Sequence, residues 1–319
     1  MIRVDVICGG DSPEREVSLS SGAAVHEALL EAGLESRKVE VASKEDTLLK
    51  VADSGADMFF ITLHGGWGED GRLQAVLEFL GKAYTGSGPR ACVCAMDKTL
   101  SKTLFRQAGV PTPPGVFFYT GRRKMPQTEI EELFGAWGKL VVKPAGCGST
   151  VGVSIVDDPG RFTEAFEAAE AYDESVVVEK YIPGKEITVT VWQENEAPEA
   201  LPAVEIRPKK GFYTYEAKYV PGTTEYFCPA AIDRATASAV ADTAVAAHCA
   251  LGCRIYSRVD LRLSPQGQPF VLEVNTAPGM TATSLVPKAA AAFGWTFPEL
   301  CKNLVLNSLK TAKRGAPLL

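Results

Sequence analysis

The chain has no run of five lysines or arginines, no uncharged apolar stretch of 18 residues, no paired CxxC motif and only three histidines among 319 residues. Each absence removes a class of function. Without a basic stripe, and with a formal net charge of -6, nucleic acid and anionic membrane surfaces have no electrostatic footprint to meet. Without a long apolar run no membrane-spanning helix is expected. Residues 2 to 8 alternate like a strand and lack a basic segment leading into an apolar one, so no signal peptide is expected either. Eight cysteines are present, but none sits in a CxxC pair matched by a second pair. Cys249 and Cys253, one helical turn apart beside His248, read as reduced core thiols rather than metal ligands, which suits a reducing compartment. The expectation is a cytoplasmic protein that handles small molecules.

What is present is a globular composition, 46% hydrophobic and 23% charged, in a chain long enough for two or three domains. Strand-like runs at 3–8 and 57–63 alternate with helix-like runs at 17–32 and 72–80, and Gly33 and Gly81 sit where C-caps belong. That is a small α/β unit. Asp97 opens a helix to Gln107, and a glycine- and proline-rich stretch follows from Gly109 to Gly115 before strands at 140–142 and 176–179. After Pro183-Gly184 come a strand at 186–192, a polar Gly- and Tyr-rich stretch at 209–225, an alanine-rich helix at 232–250 and a final strand pair, a mixed α+β unit. The tail from Lys310 to Leu319 is short and mixed and is expected to fray. The expected divisions are 1–95, 96–183 and 184–319.

Chemistry is densest in the strand pair 256–261 and 270–275. Side chains two apart share a face, so Arg258 and Asp260 project together, as do Glu273 and Asn275, while Val259, Leu261, Leu272 and Val274 point into a core. Three oxygen ligands beside one guanidinium suit a hard divalent cation held with nucleotide phosphates, and a transferring phosphoryl group. A half-exposed hairpin with a solvated polar face would show the same alternation. Asn275 leads into Thr276-Ala277-Pro278-Gly279-Met280-Thr281, whose glycine lets backbone N–H groups approach an oxyanion, and then to Ser284 and Leu285 at a helix start.

A buried strand at 140–142 delivers Lys143 into the glycine-rich loop 144–152, whose amides would cradle phosphate oxygens; a plain hairpin turn is the alternative. Neither a P-loop nor a dinucleotide fingerprint is present. Residues 176–182 run into Pro183-Gly184 and Glu186, a hinge whose backbone could hold adenine while Glu186 meets ribose hydroxyls, or else an ordinary edge strand. Near the N-terminus, Glu14 either captures an ammonium group or helps Ser12 and Glu16 cap the following helix. His64 falls at the C-terminal end of a strand, where α/β sheets bind ligands, although a lone histidine is more often structural.

Taken in order, these segments resemble the D-alanine:D-alanine ligases of the ATP-grasp superfamily. The resemblance is carried by GGDSPEREVSLSSG (9–22), LHGGWGEDG (63–71), YTGSG (84–88), MDK (96–98), VVKPAGCGSTVG (141–152), VEKYIPGKE (178–186), YEAKYV (215–220), RVD (258–260) and EVNTAPGMTATSLVP (273–287). It implies three domains, the first Rossmann-like, with ATP gripped between the second and third. By position it implies a nucleotide site of Lys98, Lys143, Glu179, Lys180, Ile182 and Glu186, with Lys218 near the γ-phosphate. Asp260, Glu273 and Asn275 match ligands for two Mg²⁺ ions, which Mn²⁺ would replace. Glu14 matches the partner of the first D-alanine's ammonium, linked through Ser149 to Tyr219. His64, Ser284 and Leu285 match substrate contacts, and Arg258 with the Gly279 amide would stabilise the tetrahedral intermediate.

Ala145-Gly146-Cys147 departs from the charged residues expected before the Gly-Ser of the loop, which bears on loop mobility, while Thr150 keeps the hydroxyl of the commoner serine. The implied activity is ATP-dependent joining of two D-alanines for peptidoglycan precursors, by a homodimer. Relatives that make a D-alanine:D-lactate ester lack the tyrosine at the position of Tyr219, so its presence favours an amine acceptor; an ester-forming or D-serine enzyme is the runner-up. An ATP-binding regulatory module without turnover would be expected to have lost its metal ligands, and these are intact.

Overall fold

The computed structural model describes residues 2–119, 125–194, 197–209 and 222–313. Three sheets organise it. The first is parallel, in the order β2-β1-β3, from β1 (Arg3–Gly9), β2 (Glu35–Val41) and β3 (Met58–Ile61). Between β1 and β2 runs α1 (Arg15–Glu31), then α2 (Lys44–Ala52), with α3 (Arg72–Phe79) after β3. Val4, Val6, Met58 and Phe60 face one side of this sheet and Ile7, Val39, Phe59 and Ile61 the other, and both faces are covered. Burial on both faces is the rule for parallel strands, and it makes β1 almost wholly buried where its sequence looks half-polar. Asp5, a polar residue in that strand, is buried, accepts a two-pronged ion pair (3.0 and 2.6 Å) from the exposed Arg37 and takes a third hydrogen bond from Ser54.

Helices α4 (Pro89–Met96) and α5 (Lys98–Gln107) lead to an antiparallel sheet ordered β4-β7-β5-β6, from β4 (Gly115–Tyr119), β5 (Leu140–Pro144), β6 (Ser154–Val156) and β7 (Ser175–Lys180). Helices α6 (Gln127–Trp137) and α7 (Phe162–Glu170) cover it, with Phe118, Ile130, Leu140, Phe162 and Val178 in the core. The third sheet, ordered β11-β10-β8-β12-β13, contains β8 (Lys185–Trp192), β10 (Val204–Pro208), β11 (Thr224–Phe227), β12 (Tyr256–Leu263) and β13 (Pro269–Asn275), with the short β9 (Glu199–Ala200) on β8. The alanine-rich α8 (Arg234–Ala250) starts at Asp233, whose carboxylate caps Thr236 N, and packs on this sheet.

These sheets carry the divisions we propose at 95/96 and 183/184, although α5 contributes Phe105 to the core of the third sheet. The chain end returns to the first sheet: α9 (Leu285–Phe293) and α10 (Phe297–Lys313) place Val286, Leu300, Leu304 and Val305 against Val4, Val6 and Leu29. Helix α10 opens with a capping box, Thr296 and Glu299 each bonding the other's backbone N–H. The expected fraying is corrected for Lys310 to Lys313, where the helix continues because its buried stripe anchors it; residues 314–319 lie outside the described residues. Cys249 is corrected too. It is exposed on the outer face of α8, while Cys253 is buried, and all eight cysteines are unbridged.

Candidate active site

A cavity of about 520 Å³ lies where the three sheets meet, bordered by residues from all of them. The wall from the third sheet is the β12–β13 hairpin. Its register sets Arg258 opposite Asn275 and Asp260 opposite Glu273, so the four chemistry-bearing side chains form one block. Arg258 grips Asp260 with two hydrogen bonds (2.9 and 2.8 Å), and Thr188 on β8 donates a third to Asp260 Oδ1 at 2.6 Å. Glu273 Oε2 lies 3.2 Å from the Lys98 ammonium, and Asn275 Oδ1 accepts from Ala277 N at 3.0 Å. The alternation expected for this hairpin fails at one residue. Pairing skips from Asp260↔Glu273 to Leu261↔Val271, so Leu272 is extra and lines the cavity, and Val271 takes the buried place.

The second sheet supplies the lysines and the glycine-rich loop. Lys98, first residue of α5 behind the Asp97 cap, also donates to Cys147 O at 2.8 Å. Lys143, at the end of β5, lies 2.5 Å from Glu179 Oε1 on β7, and Glu179 Oε2 lies 2.7 Å from Lys102. Burial opposes ionisation of Glu179, but these two ammonium groups outweigh it and hold its pKa below the usual carboxylate value. Asp173 fixes the start of the loop by accepting from Gly146 N (2.6 Å) and Ser175 N (2.9 Å). Ser149 and Thr150 both have positive φ, 52° and 65°, a turn that presents their hydroxyl side chains to the cavity.

Lys180, Ile182 and Glu186 line the hinge side of the cavity. Much of the backbone expected to be open there is engaged. Lys180 N donates to Pro114 O, Tyr181 N to Lys139 O, and Ile182 O accepts from Arg262, which also pairs with Glu186 at 3.4 Å.

From the first sheet come Glu14 and His64. Glu14 occupies the N-cap position of α1 but caps nothing, and its Oε1 accepts from Ser149 Oγ at 2.6 Å. The capping role of Glu14 is thus set aside, while Ser12 Oγ accepts from Glu14 N at 3.2 Å at the helix start and donates to His64 O at 2.6 Å. His64 lies 3.5 Å from Glu69 through Nδ1 and 3.2 Å from Ser21 Oγ through Nε2, and Ser21 Oγ also accepts from Met280 N at 3.3 Å. Ser21 therefore joins α1 to the loop that carries Gly279. At the far end of that loop Ser284 precedes α9 and accepts from Thr281 N at 3.1 Å, and Gly279, Ser284 and Leu285 all border the cavity.

Sixteen of the expected site residues fall in the described part of the chain and line this one cavity; Lys218 and Tyr219 lie outside the described residues. Sequence reasoning missed Glu69, Ser21, Lys102, Thr188 and Arg262. For Lys102 the signal was its place one helical turn after Lys98, and for Glu69 its place five residues after His64 in the same motif; Ser21, Thr188 and Arg262 act through residues distant in sequence and left no local mark. The donor set Asp260, Glu273 and Asn275 fits a hard divalent cation, since all three offer oxygen from adjacent strands and two are carboxylates. Among the described residues no cluster of three or more His, Cys, Asp or Glu adds a competing site.

Two antiparallel sheets closing on a lysine-lined cavity, with a paired-carboxylate hairpin at one wall, define an ATP-grasp ligase. Family models for the D-ala D-ala ligase N-terminus and C-terminus match residues 34–87 and 104–306. The D-alanine–D-alanine ligase of Anaeromyxobacter sp. (strain Fw109-5) is 46% identical over 304 residues, covering 95% of this chain and 96% of that one. The D-alanine–D-alanine ligase structure from Bacillus anthracis superposes with a TM-score of 0.87 at 35% identity, over 98% of this chain and 99% of that one. The same enzyme complexed with ATP gives a TM-score of 0.85 at 32% identity, with the same coverage. The chain belongs to the D-alanine–D-alanine ligase family.

Proposed function

We propose that the protein joins two D-alanine molecules with ATP, giving D-alanyl-D-alanine, ADP and phosphate, and that the dipeptide serves peptidoglycan synthesis. The observation that carries this reading is the Glu14–Ser149 hydrogen bond of 2.6 Å, which sets an ammonium-binding carboxylate against the glycine-rich loop in one cavity. A D-amino acid held by its ammonium at Glu14 presents its carboxylate toward the loop amides and lysines.

A carboxylate is a poor electrophile because its charge repels nucleophiles. Transfer of the γ-phosphoryl group to a carboxylate oxygen forms a P–O bond, releases ADP and creates a leaving group. Lys98, Lys143 and the loop amides neutralise the transferring charge, and by our reading Lys218 joins them at the γ-phosphate. The amine of the second D-alanine, its carboxylate at Ser284 and the N-terminus of α9, then attacks the carbonyl carbon. Arg258 and the Gly279 N–H stabilise the tetrahedral oxyanion, and its collapse expels inorganic phosphate as the amine loses a proton. Tyr219, by our reading, links through Ser149 to Glu14 over the first substrate. Mg²⁺, or Mn²⁺ in its place, would be held by Asp260, Glu273 and Asn275 and would supply charge neutralisation on the nucleotide phosphates. We read the enzyme as a cytoplasmic homodimer; the described residues contain no helix long and apolar enough to cross a membrane.

The test is ATP consumption with Mg²⁺ and D-alanine, with L-alanine and with D-alanine plus D-lactate as comparisons, and products weighed by mass spectrometry. D-alanyl-D-alanine with ADP and phosphate upholds the proposal. ADP release only with another amino or hydroxy acid overturns the substrate, and ATP binding without turnover overturns the activity.

A further inference from the structure

Glu179 is a carboxylate that the molecule should not tolerate without compensation. It is 1% exposed, and a buried charge stripped of its partner costs more than its pairing gains. Its two oxygens are compensated by two lysines of different character. Lys143, at 2.5 Å from Oε1, borders the cavity and sits where an incoming phosphate could draw it away. Lys102, at 2.7 Å from Oε2, is itself 1% exposed and lies behind Glu179, away from the cavity. It is tethered from the other side: its ammonium donates to Thr112 Oγ1 at 3.0 Å, and Thr112 in turn donates to Val271 O at 2.8 Å, on the hairpin that carries Glu273.

We infer that Lys102 is a positioning residue of the nucleotide site, a fixed counter-ion that keeps Glu179 ionised and so lets Lys143 exchange Glu179 for a phosphate oxygen. The inference rests on the nucleotide reading given above. If Lys143 were the sole partner of a buried carboxylate, leaving would strand the charge, and the nucleotide would have to overcome that penalty at each binding event. With Lys102 in place the penalty falls away. The dependence is mutual: burial lowers the pKa of Lys102, and the neighbouring Glu179 opposes that shift.

The test measures ATP binding by calorimetry in the presence of Mg²⁺ for the full chain, Lys102→Gln, Glu179→Gln and the double variant, with thermal unfolding of each. Lys102→Gln is expected to raise the ATP Kd about tenfold, a typical loss for one charge-assisted contact, while the KM for D-alanine at saturating ATP stays within about twofold. In the double variant no carboxylate remains to trap Lys143, so its ATP Kd is expected to be no higher than that of Glu179→Gln alone. A residue that merely fills space would instead weaken binding by the same factor in both backgrounds, which overturns the inference, as does a Lys102→Gln protein that binds ATP like the parent. If Lys102→Gln does not fold, the double variant against Glu179→Gln still decides. Failure of the unaltered protein to bind ATP would overturn the nucleotide reading itself, a result distinct from either.

Discussion

A carboxylate that recognises an ammonium group is most effective when its orientation is set before the ligand arrives. Glu14 has that preparation, because Ser149 holds Oε1 at 2.6 Å at the edge of the cavity. Glu14→Gln keeps the shape and removes the charge. It is expected to raise the KM for the first D-alanine by about tenfold to a hundredfold, as for loss of one charge-assisted hydrogen bond of about 1.5–3 kcal/mol, with the KM for ATP nearly unchanged; initial-rate kinetics over a wide D-alanine range will separate the two. Arg258 is prepared in the same way by the two hydrogen bonds it donates to Asp260. Arg258→Ala is expected to lower kcat about 10²–10³-fold, the scale of losing one oxyanion donor, and single-turnover quench measurements of dipeptide formation would check it. An unchanged kcat would remove Arg258 from the chemistry. At this scale the sequence was informative where residues sit in compact motifs, as Glu14, Lys143 and Asp260 do. It was silent on Ser21 and Thr188, whose partners His64 and Asp260 are 43 and 72 positions away. Such pairings are products of the fold, and no local pattern announces them.

Elements show why some of the fold was legible and some was not. Helix α5 could be read from its Asp97 cap, and α8 from its alanine run, because cap chemistry and helical propensity are local. The β12–β13 hairpin was legible except at Leu272, because one bulged residue reverses the alternation on which face assignment depends. Helices α2 and α4 also carried local signals that the sequence reading passed over, a Ser43 cap on Asp46 N and Pro89 in the first turn, whereas the polar β2 carried little. Helix α10 carries a capping box and a buried stripe at Leu300, Leu304, Val305 and Ser308, yet its partner is the first sheet, nearly three hundred residues earlier. Leu304 is fully buried against that core. Leu304→Ala is expected to cost about 2–5 kcal/mol, read as a lower denaturation midpoint with an unchanged m value. Because α10 holds α1, and α1 carries Glu14 and Ser21, the same variant is expected to lose activity at temperatures below its global unfolding.

For the whole molecule, the arrangement of three sheets around one cavity means that stability and catalysis share buried polar groups. His248 on α8 is fully buried, its Nδ1 2.8 Å from Ser257 Oγ and its Nε2 3.1 Å from Gln193 Oε1. With Gln193 Oε1 accepting from Nε2–H and Ser257 donating to Nδ1, the neutral ring is satisfied and no carboxylate faces it. Burial lowers its pKa from 6.5 to about 4. The unfolded chain therefore takes up a proton at higher pH than the folded one, so the stability that neutral His248 contributes is complete above pH 6.5 and is lost as pH falls toward 4. The loss amounts to about 3 kcal/mol over that window. Below it both states are protonated and this contribution is flat. Urea unfolding at intervals across the window is expected to show the decline, and His248→Gln, which retains a hydrogen-bonding side chain without a titrating ring, is expected to flatten it whatever its effect on stability at neutral pH. An equally steep decline in the variant would remove His248 as its source; Glu179 and Glu205, whose pKa values are lowered by their cationic partners against the opposing effect of burial, lose their contribution only as pH falls below about 4.5, at the foot of this window.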